Sequence, residues 1–182
     1  MDKTIRTNLD NIHSDDGQIQ FQAYDYLMKE TEKSVDWAYE AWDELVDGLT
    51  HKDNHVRAIT SQILTHLAKS DPKGRIFKHF DKLLNVTKDE RFVTARHCMQ
   101  SLWKVAVVGK KQQAMYMDGL SRRFKECVTE KNGKLIRYDI LVSMRNVYNE
   151  VKDESIREKA LILIASEKDV KNQKKCAGLW KK

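Results

Sequence analysis

Cysteine is scarce in this chain: Cys98, Cys127 and Cys176 are its three, far apart and without a CxxC pair. An odd, scattered set offers no disulfide framework and no cysteine-based zinc site, and it favours a reducing cytoplasm. Proline occurs once and glycine seven times. So few breakers suit a helix-rich globular chain better than a disordered one. Long apolar runs are missing as well. The longest, Ala160 to Ala165, falls far short of the roughly 18 residues of a membrane span. The opening "MDKTIRTNLDNIHSDDG" has no apolar core of a secretion signal. The expectation is therefore a cytoplasmic protein without membrane contact. No Gly-rich phosphate loop, HExxH, GxSxG or GxGxxG motif occurs, which removes the commonest enzyme designs. No cofactor and no small-molecule substrate are expected.

What the chain does have is charge, unevenly placed. Residues 1–54 hold 5 Lys/Arg against 13 Asp/Glu, a net of −8, and residues 55–182 hold 28 against 14, a net of +14. Such polarity points to an acidic partner for the basic part, or to contact between opposite ends of neighbouring molecules, against the plainer reading of unevenly spread solubilising charge.

Helical periodicity recurs throughout, and strand signals do not. "VDWAYEAWDELVDGL" sets Ala38, Trp42, Leu45, Val46 and Leu49 on one stripe, and "DNHVRAITSQILTHLAK" does the same with Val56, Ile59, Ile63 and Leu67. Asp71 before Pro72 reads as an N-cap followed by proline at the first helical position, and "SIRE" (Ser155 to Glu158) has capping-box spacing. The pattern predicts helices near 3–12, 18–32, 35–49, 54–69, 74–87, 90–108, 111–130, 134–150, 154–166 and 169–180, joined by links short enough to make neighbours antiparallel.

These helices repeat. Alternate helices align in four apolar columns: Ala38, Ile76, Leu120, Ile156; Trp42, Phe80, Phe124, Ala160; Leu45, Leu83, Cys127, Leu163; and Val46, Leu84, Val128, Ile164. The intervening helices keep pace, Val56, Ile59, Ile63 and Leu67 returning as Phe92, Ala95, Met99 and Trp103. A period of roughly 40 residues built from helix pairs marks an α-solenoid. The expected fold is all-α, a right-handed α-α superhelix of four to five antiparallel helix pairs. It forms a single domain over 1–182, with 1–17 a polar segment or capping helix and 18–182 the stacked pairs.

"KDNHVRAITSQILTHLA" resembles the second half of a HEAT repeat, where an Asp-containing turn leads into a Val-Arg helix start, and "KDERFVTARHCMQSLW" and "KNGKLIRYDILVSMRNVY" resemble it more loosely. The resemblance to HEAT-like, armadillo-type repeats implies a scaffold. It also implies a ladder of turn aspartates and helix arginines: Asp53 with Arg57 fits, Asp89 with Arg96 is shifted, and the third unit has Asn132 and Arg137.

Candidate chemistry is sparse. His97 and Cys98 are adjacent, but about 100° per residue sends them to different faces; with Met99 toward the core, His97 lies about 160° away. A nucleophile and its base must meet within hydrogen-bond reach, so Cys98 reads as flank packing. His51 and His55 straddle a turn rather than share a helix, which leaves them a polar turn rather than a zinc site. Asp139 falls in a core-facing column, open to pairing, function or a shifted register. Trp42 and Trp103 sit at core spacing.

The second helices of the pairs, at 54–69, 91–108 and 133–149, carry eight Lys/Arg and one acid, Asp139, whereas the first outer helix carries Asp36, Glu40, Asp43, Glu44 and Asp47 without a base. In HEAT-like repeats such second helices line the concave face. Arg57, His97, Lys104, Lys134, Arg137 and Arg145 then face a basic groove that attracts an opposite partner. The leading expectation is a non-enzymatic scaffold holding an acidic protein segment. The alternative is nucleic-acid binding, including a likeness to the HEAT-like DNA-alkylation-repair glycosylases. That likeness implies a groove carboxylate with aromatics, for which Asp139 and Tyr138 are the nominees.

Overall fold

A computed structural model describes residues 1–181. The described residues are helical and contain no strand. The helices are α1 (Lys3–Asn11), α2 (Gly17–Glu30), α3 (Ala38–Gly48), α4 (Asn54–Leu67), α5 (Ile76–Val86), α6 (Phe92–Ser101), α7 (Trp103–Ala106), α8 (Lys110–Glu126), α9 (Gly133–Val151), α10 (Glu154–Ala165) and α11 (Val170–Gly178), with single 3-10 turns after α4 and α8. The chain divides into two compact units, Met1–Ser101 and the part from Leu102 onward. Among the described residues no helix is long and apolar enough to cross a membrane.

The helix starts follow from aspartates. Asp2, Asp16, Asp53, Asp153 and Asp169 each sit in extended backbone and accept amides of the first turn, which would otherwise be unpaired. Two starts differ from the sequence reading. Asp71 caps α5 from farther upstream, accepting the amides of Arg75 at 2.9 Å and Ile76 at 2.7 Å. Pro72 therefore lies in the turn, which closes through Gly74 at φ 68°, a left-handed conformation suited to glycine. At α10 the cap is Asp153 rather than Ser155, whose amide and hydroxyl both donate to it.

In the first unit α2, α4 and α6 pack in succession, with α1, α3 and α5 backing them. The acids of α3 tie this backing row together: Glu44 takes Arg6 of α1 in a two-point contact at 2.8 Å, Asp43 pairs with Arg75, and Glu40 takes the terminal amine. Close approach of α3 to α4 needs Gly48, where a Cβ would stand 2.5 Å from the Thr60 methyl. In the second unit α9 lies against α7 and α11, and α8 and α10 also pack on α9.

The apolar columns form the core of each unit. Fifteen of their sixteen positions are buried, Trp42 and Leu45 completely. The exception is Val128, which is 55% exposed because α8 ends at Glu126 and the 3-10 turn over Cys127–Thr129 rotates it outward. The helix predicted over 90–108 breaks after Ser101, whose hydroxyl donates to the Cys98 carbonyl at 2.9 Å. Ala95 and Met99 are buried as expected, whereas Phe92 and Trp103 are only half-buried.

A recurring side-chain bridge ties four of the helices, α3, α4, α8 and α9, to the one two places on. Tyr39 at the start of α3 donates to Asp71 before α5 at 2.6 Å. Arg57 in the first turn of α4 reaches Asp89 before α6. Lys110 opening α8 reaches Asp153 before α10 at 2.6 Å, and Lys134 opening α9 reaches Asp169 before α11 at 2.7 Å. In all four, one aspartate serves as cap and as stacking contact.

Candidate functional site

The first unit carries an open groove of about 880 Å³ along α2, α4 and α6. Phe21 and Tyr24 come from α2, His55, Ala58, Ile59 and Gln62 from α4, and Phe92, Val93, Thr94 and His97 from α6, with Arg91 just before it. Its framework is fixed by polar contacts between the three helices. The Tyr24 hydroxyl donates to Gln62 Oε1 at 2.9 Å, and the Thr94 hydroxyl donates to the Asn54 carbonyl at 3.2 Å. Between these contacts lie large apolar groups open to solvent: Phe21 is 64% and Val93 65% exposed.

The electrostatics are one-sided. The lining contains Arg91, His55 and His97 and no carboxylate. Asp53 lies just outside the lining, 3.9 Å from His55 Nδ1, but its Oδ1 already accepts the His55 amide. Arg91 forms no ion pair among the described residues; its amide is held by Asp89 at 2.9 Å, which fixes where the side chain starts. The groove thus offers apolar anchoring with one cationic side chain, Arg91, at hand.

Of the six residues expected to line one basic groove, the structure places His97 on this lining. Arg57 belongs to the same unit but is turned aside: Nε and Nη2 bind Asp89 at 2.5 and 2.9 Å, and Nη1 donates to the His51 and Lys52 carbonyls. The other four belong to the second unit. Lys104 lies over the Trp103 ring at 4.1 Å, and Lys134 pairs with Asp169. Arg137 is buried, 3.0 Å from Glu167 and over the Phe124 ring. Arg145 stacks on Tyr148 and Trp180, 5.3 Å from each. The expected pairing of Asp53 with Arg57 is replaced by the bridge to Asp89.

Asp139 is buried, 5% exposed, and engaged by neighbours, so it is not an open groove carboxylate; Tyr138 is covered by Lys175 at 4.2 Å. Cys98 is fully buried rather than on a flank, its thiol 3.3 Å from the Leu83 carbonyl, and burial pushes that thiol up to about 12. It is held away from the thiolate form that nucleophilic chemistry requires. His51 accepts the Asp53 amide at 3.1 Å within the turn, and His55 faces the groove on α4. Among the described residues no three His, Cys, Asp or Glu side chains are grouped to hold a metal ion.

Sequence reasoning missed Phe21, Tyr24, His55, Arg91 and Val93 as groove residues and placed Phe92 in the core; Ile59 is buried as expected and also borders the groove. A signal was present at Phe21: it lies off the stripe of Gln20, Ala23 and Leu27 that α2 buries. A large aromatic displaced from a buried stripe is an exposed one.

No protein-family profile and no curated protein matches this chain. Among solved structures, an engineered protein whose crystal structure was determined by the Northeast Structural Genomics Consortium is similar in fold. It has a TM-score of 0.54 and 16% identity, over 99% of this chain and 80% of that one. At that identity the likeness concerns fold alone: this chain shares an all-helical fold with that protein.

Proposed function

We propose that this protein is a non-enzymatic interaction module of HEAT-like, α-solenoid type, and that its α2/α4/α6 groove holds an acidic protein segment bearing apolar anchors. The observation that carries the reading is the lining itself: Phe21 and Val93 stand open to solvent in a groove that has Arg91, His55 and His97 and lacks any carboxylate. An exposed apolar strip favours a partner, and the Arg91 guanidinium beside it, with no carboxylate on the lining, selects for negative charge. The recurring bridges from first-turn residues to the cap aspartate two helices on, and the roughly 40-residue recurrence of the buried columns, support a repeat architecture. Buried reduced thiols suit a cytoplasmic protein.

The test uses two synthetic 14-residue peptides with the same Leu and Phe anchors, one carrying Glu at the polar positions and one carrying Lys. Fluorescence anisotropy should show the acidic peptide bound at least about tenfold more tightly. Phe21→Asp and Arg91→Glu should each weaken it about tenfold without lowering the melting temperature. Equal affinity for both peptides, or variants that bind like the parent, would remove the reading. Arg57→Glu and Arg137→Glu are unsuitable probes, because both residues hold the fold.

A further inference from the structure

The part from Leu102 onward carries the positive charge of the chain, 19 Lys/Arg against 10 Asp/Glu, while Met1–Ser101 holds 14 against 17. Part of this excess lies on α11 and its flanks. From Lys168 to Lys181 there are five lysines and one carboxylate, Asp169. That carboxylate is already engaged: Oδ1 accepts the Asn172 amide at 2.8 Å and Oδ2 takes the Lys134 ammonium. The preceding acid, Glu167, is buried between Arg137 at 3.0 Å and the Asn172 amide group at 2.6 Å. Neither is left to neutralise Lys168, Lys171, Lys174 and Lys175, all of them exposed.

Spacing puts these charges together. Lys171, Lys174 and Lys175 stand at i, i+3 and i+4, one face of a helix, where like charges repel. Lys175 leans over Tyr138 of α9, and Lys134 at the start of α9 is paired with Asp169, so the uncompensated cations are those of α11 and Lys168 before it. The buried side of α11 is anchored by Cys176 and Asn172. Nine residues of helix span about 13 Å, whereas duplex DNA presents one negative charge per about 1.7 Å of axis. A polyphosphate laid along this face meets several ammonium groups at once and relieves their repulsion.

The geometry points to a phosphate-backbone docking face on α11 and Lys168 just before it, taking nucleic acid without reading its sequence. Lysine is a point charge that positions a phosphate and reports nothing of the base. An anionic membrane is the competing polyanion, but a helix lying in a membrane surface buries a broad apolar face. Among its described residues α11 exposes one large apolar side chain, Val170.

The experiment titrates the full chain into a fluorescent 20-base-pair duplex of random sequence at several NaCl concentrations. Four phosphate contacts give a log–log salt slope of about −3.6, and an unrelated duplex should bind equally. The double variant Lys171→Gln/Lys174→Gln should shallow the slope by about 1.8 and weaken low-salt binding at least about tenfold, with an unchanged melting temperature. Phe21→Asp, which tests the groove of the other unit, should leave duplex binding intact, so the two readings fail separately. An unchanged slope in the double variant, no binding at 25 mM salt, or binding to phosphatidylserine vesicles in place of the duplex would each overturn the proposal.

Discussion

The guanidinium of Arg57 grips the carboxylate of Asp89 at two points, 2.5 and 2.9 Å, across 32 residues of sequence. Both side chains are largely shielded, 14% and 5% exposed, and the same carboxylate accepts the Arg91 amide. Asp89 therefore fixes the stacking of α4 on α6 and the direction from which Arg91 enters the groove.

Asp89→Ala leaves a shielded guanidinium without its partner, which should cost about 3 kcal/mol in urea unfolding. The equivalent bridge of the second unit is much more open, with the Lys110 side chain 79% exposed. Lys110→Ala should cost less than about 1 kcal/mol. Similar losses from the two variants would show that the bridges are energetically alike and that shielding does not grade them.

A harsher result is expected at Arg137 and Glu167, whose side chains are 8% and 2% exposed, with Arg137 Nε already unpartnered. Glu167→Ala strands a buried cation and should cost about 3–5 kcal/mol. Replacing both, Arg137→Met with Glu167→Leu, should recover most of that loss, because it removes both charges from a dry site. A double variant as unstable as Glu167→Ala would contradict the assignment.

Acid should weaken the first unit through Asp89. Burial pushes its carboxyl up, but hydrogen bonds from Arg57 and the Arg91 amide outweigh burial and hold it below the usual value. Its folded form thus keeps the proton off longer than the unfolded chain does. The stability it contributes is complete above the ordinary aspartate range, about 3.9, and is lost as pH falls from there toward the depressed folded value. Parent and Asp89→Asn should therefore differ most in melting temperature at pH 6, with the difference shrinking as pH falls below the ordinary aspartate range. A constant difference would contradict this linkage.

Glycine contacts give a further check. A Cβ at Gly133 would overlap the Cys127 carbonyl oxygen, a backbone atom, whereas at Gly48 it would meet the Thr60 methyl. Gly133→Ala should cost about 3 kcal/mol and Gly48→Ala about 1–2 kcal/mol, since a side chain yields where backbone does not. Circular-dichroism melts of the two variants would reverse that order if the α9 start were not held against Cys127.

The core was legible in the sequence because burial on a helix is periodic: Ala38, Trp42 and Leu45 could be placed by spacing alone, as could their counterparts in later helices. Periodicity fails where the helix does. Val128 leaves the core in a 3-10 turn, and Trp103 leaves the stripe where the chain breaks after Ser101, while Phe92 at the start of α6 turns toward the groove. The groove was less legible for a second reason. A helical wheel gives the direction of Arg57 or Arg137 but not what lies within reach of a long side chain. Asp89 and Glu167, each about 30 residues on, take the charge that the wheel assigned to a partner. Arg91, which forms no ion pair among the described residues, is the cation that remains on the groove lining.

The most direct test of the groove reading is an amide and methyl NMR titration of the intact chain with the Glu-bearing anchor peptide. The account predicts saturable shifts concentrated at Phe21, Ala58, Val93 and His97, absent with the Lys-bearing peptide and lost in Arg91→Glu. Shifts confined to residues beyond Leu102, or identical maps from the two peptides, would contradict it.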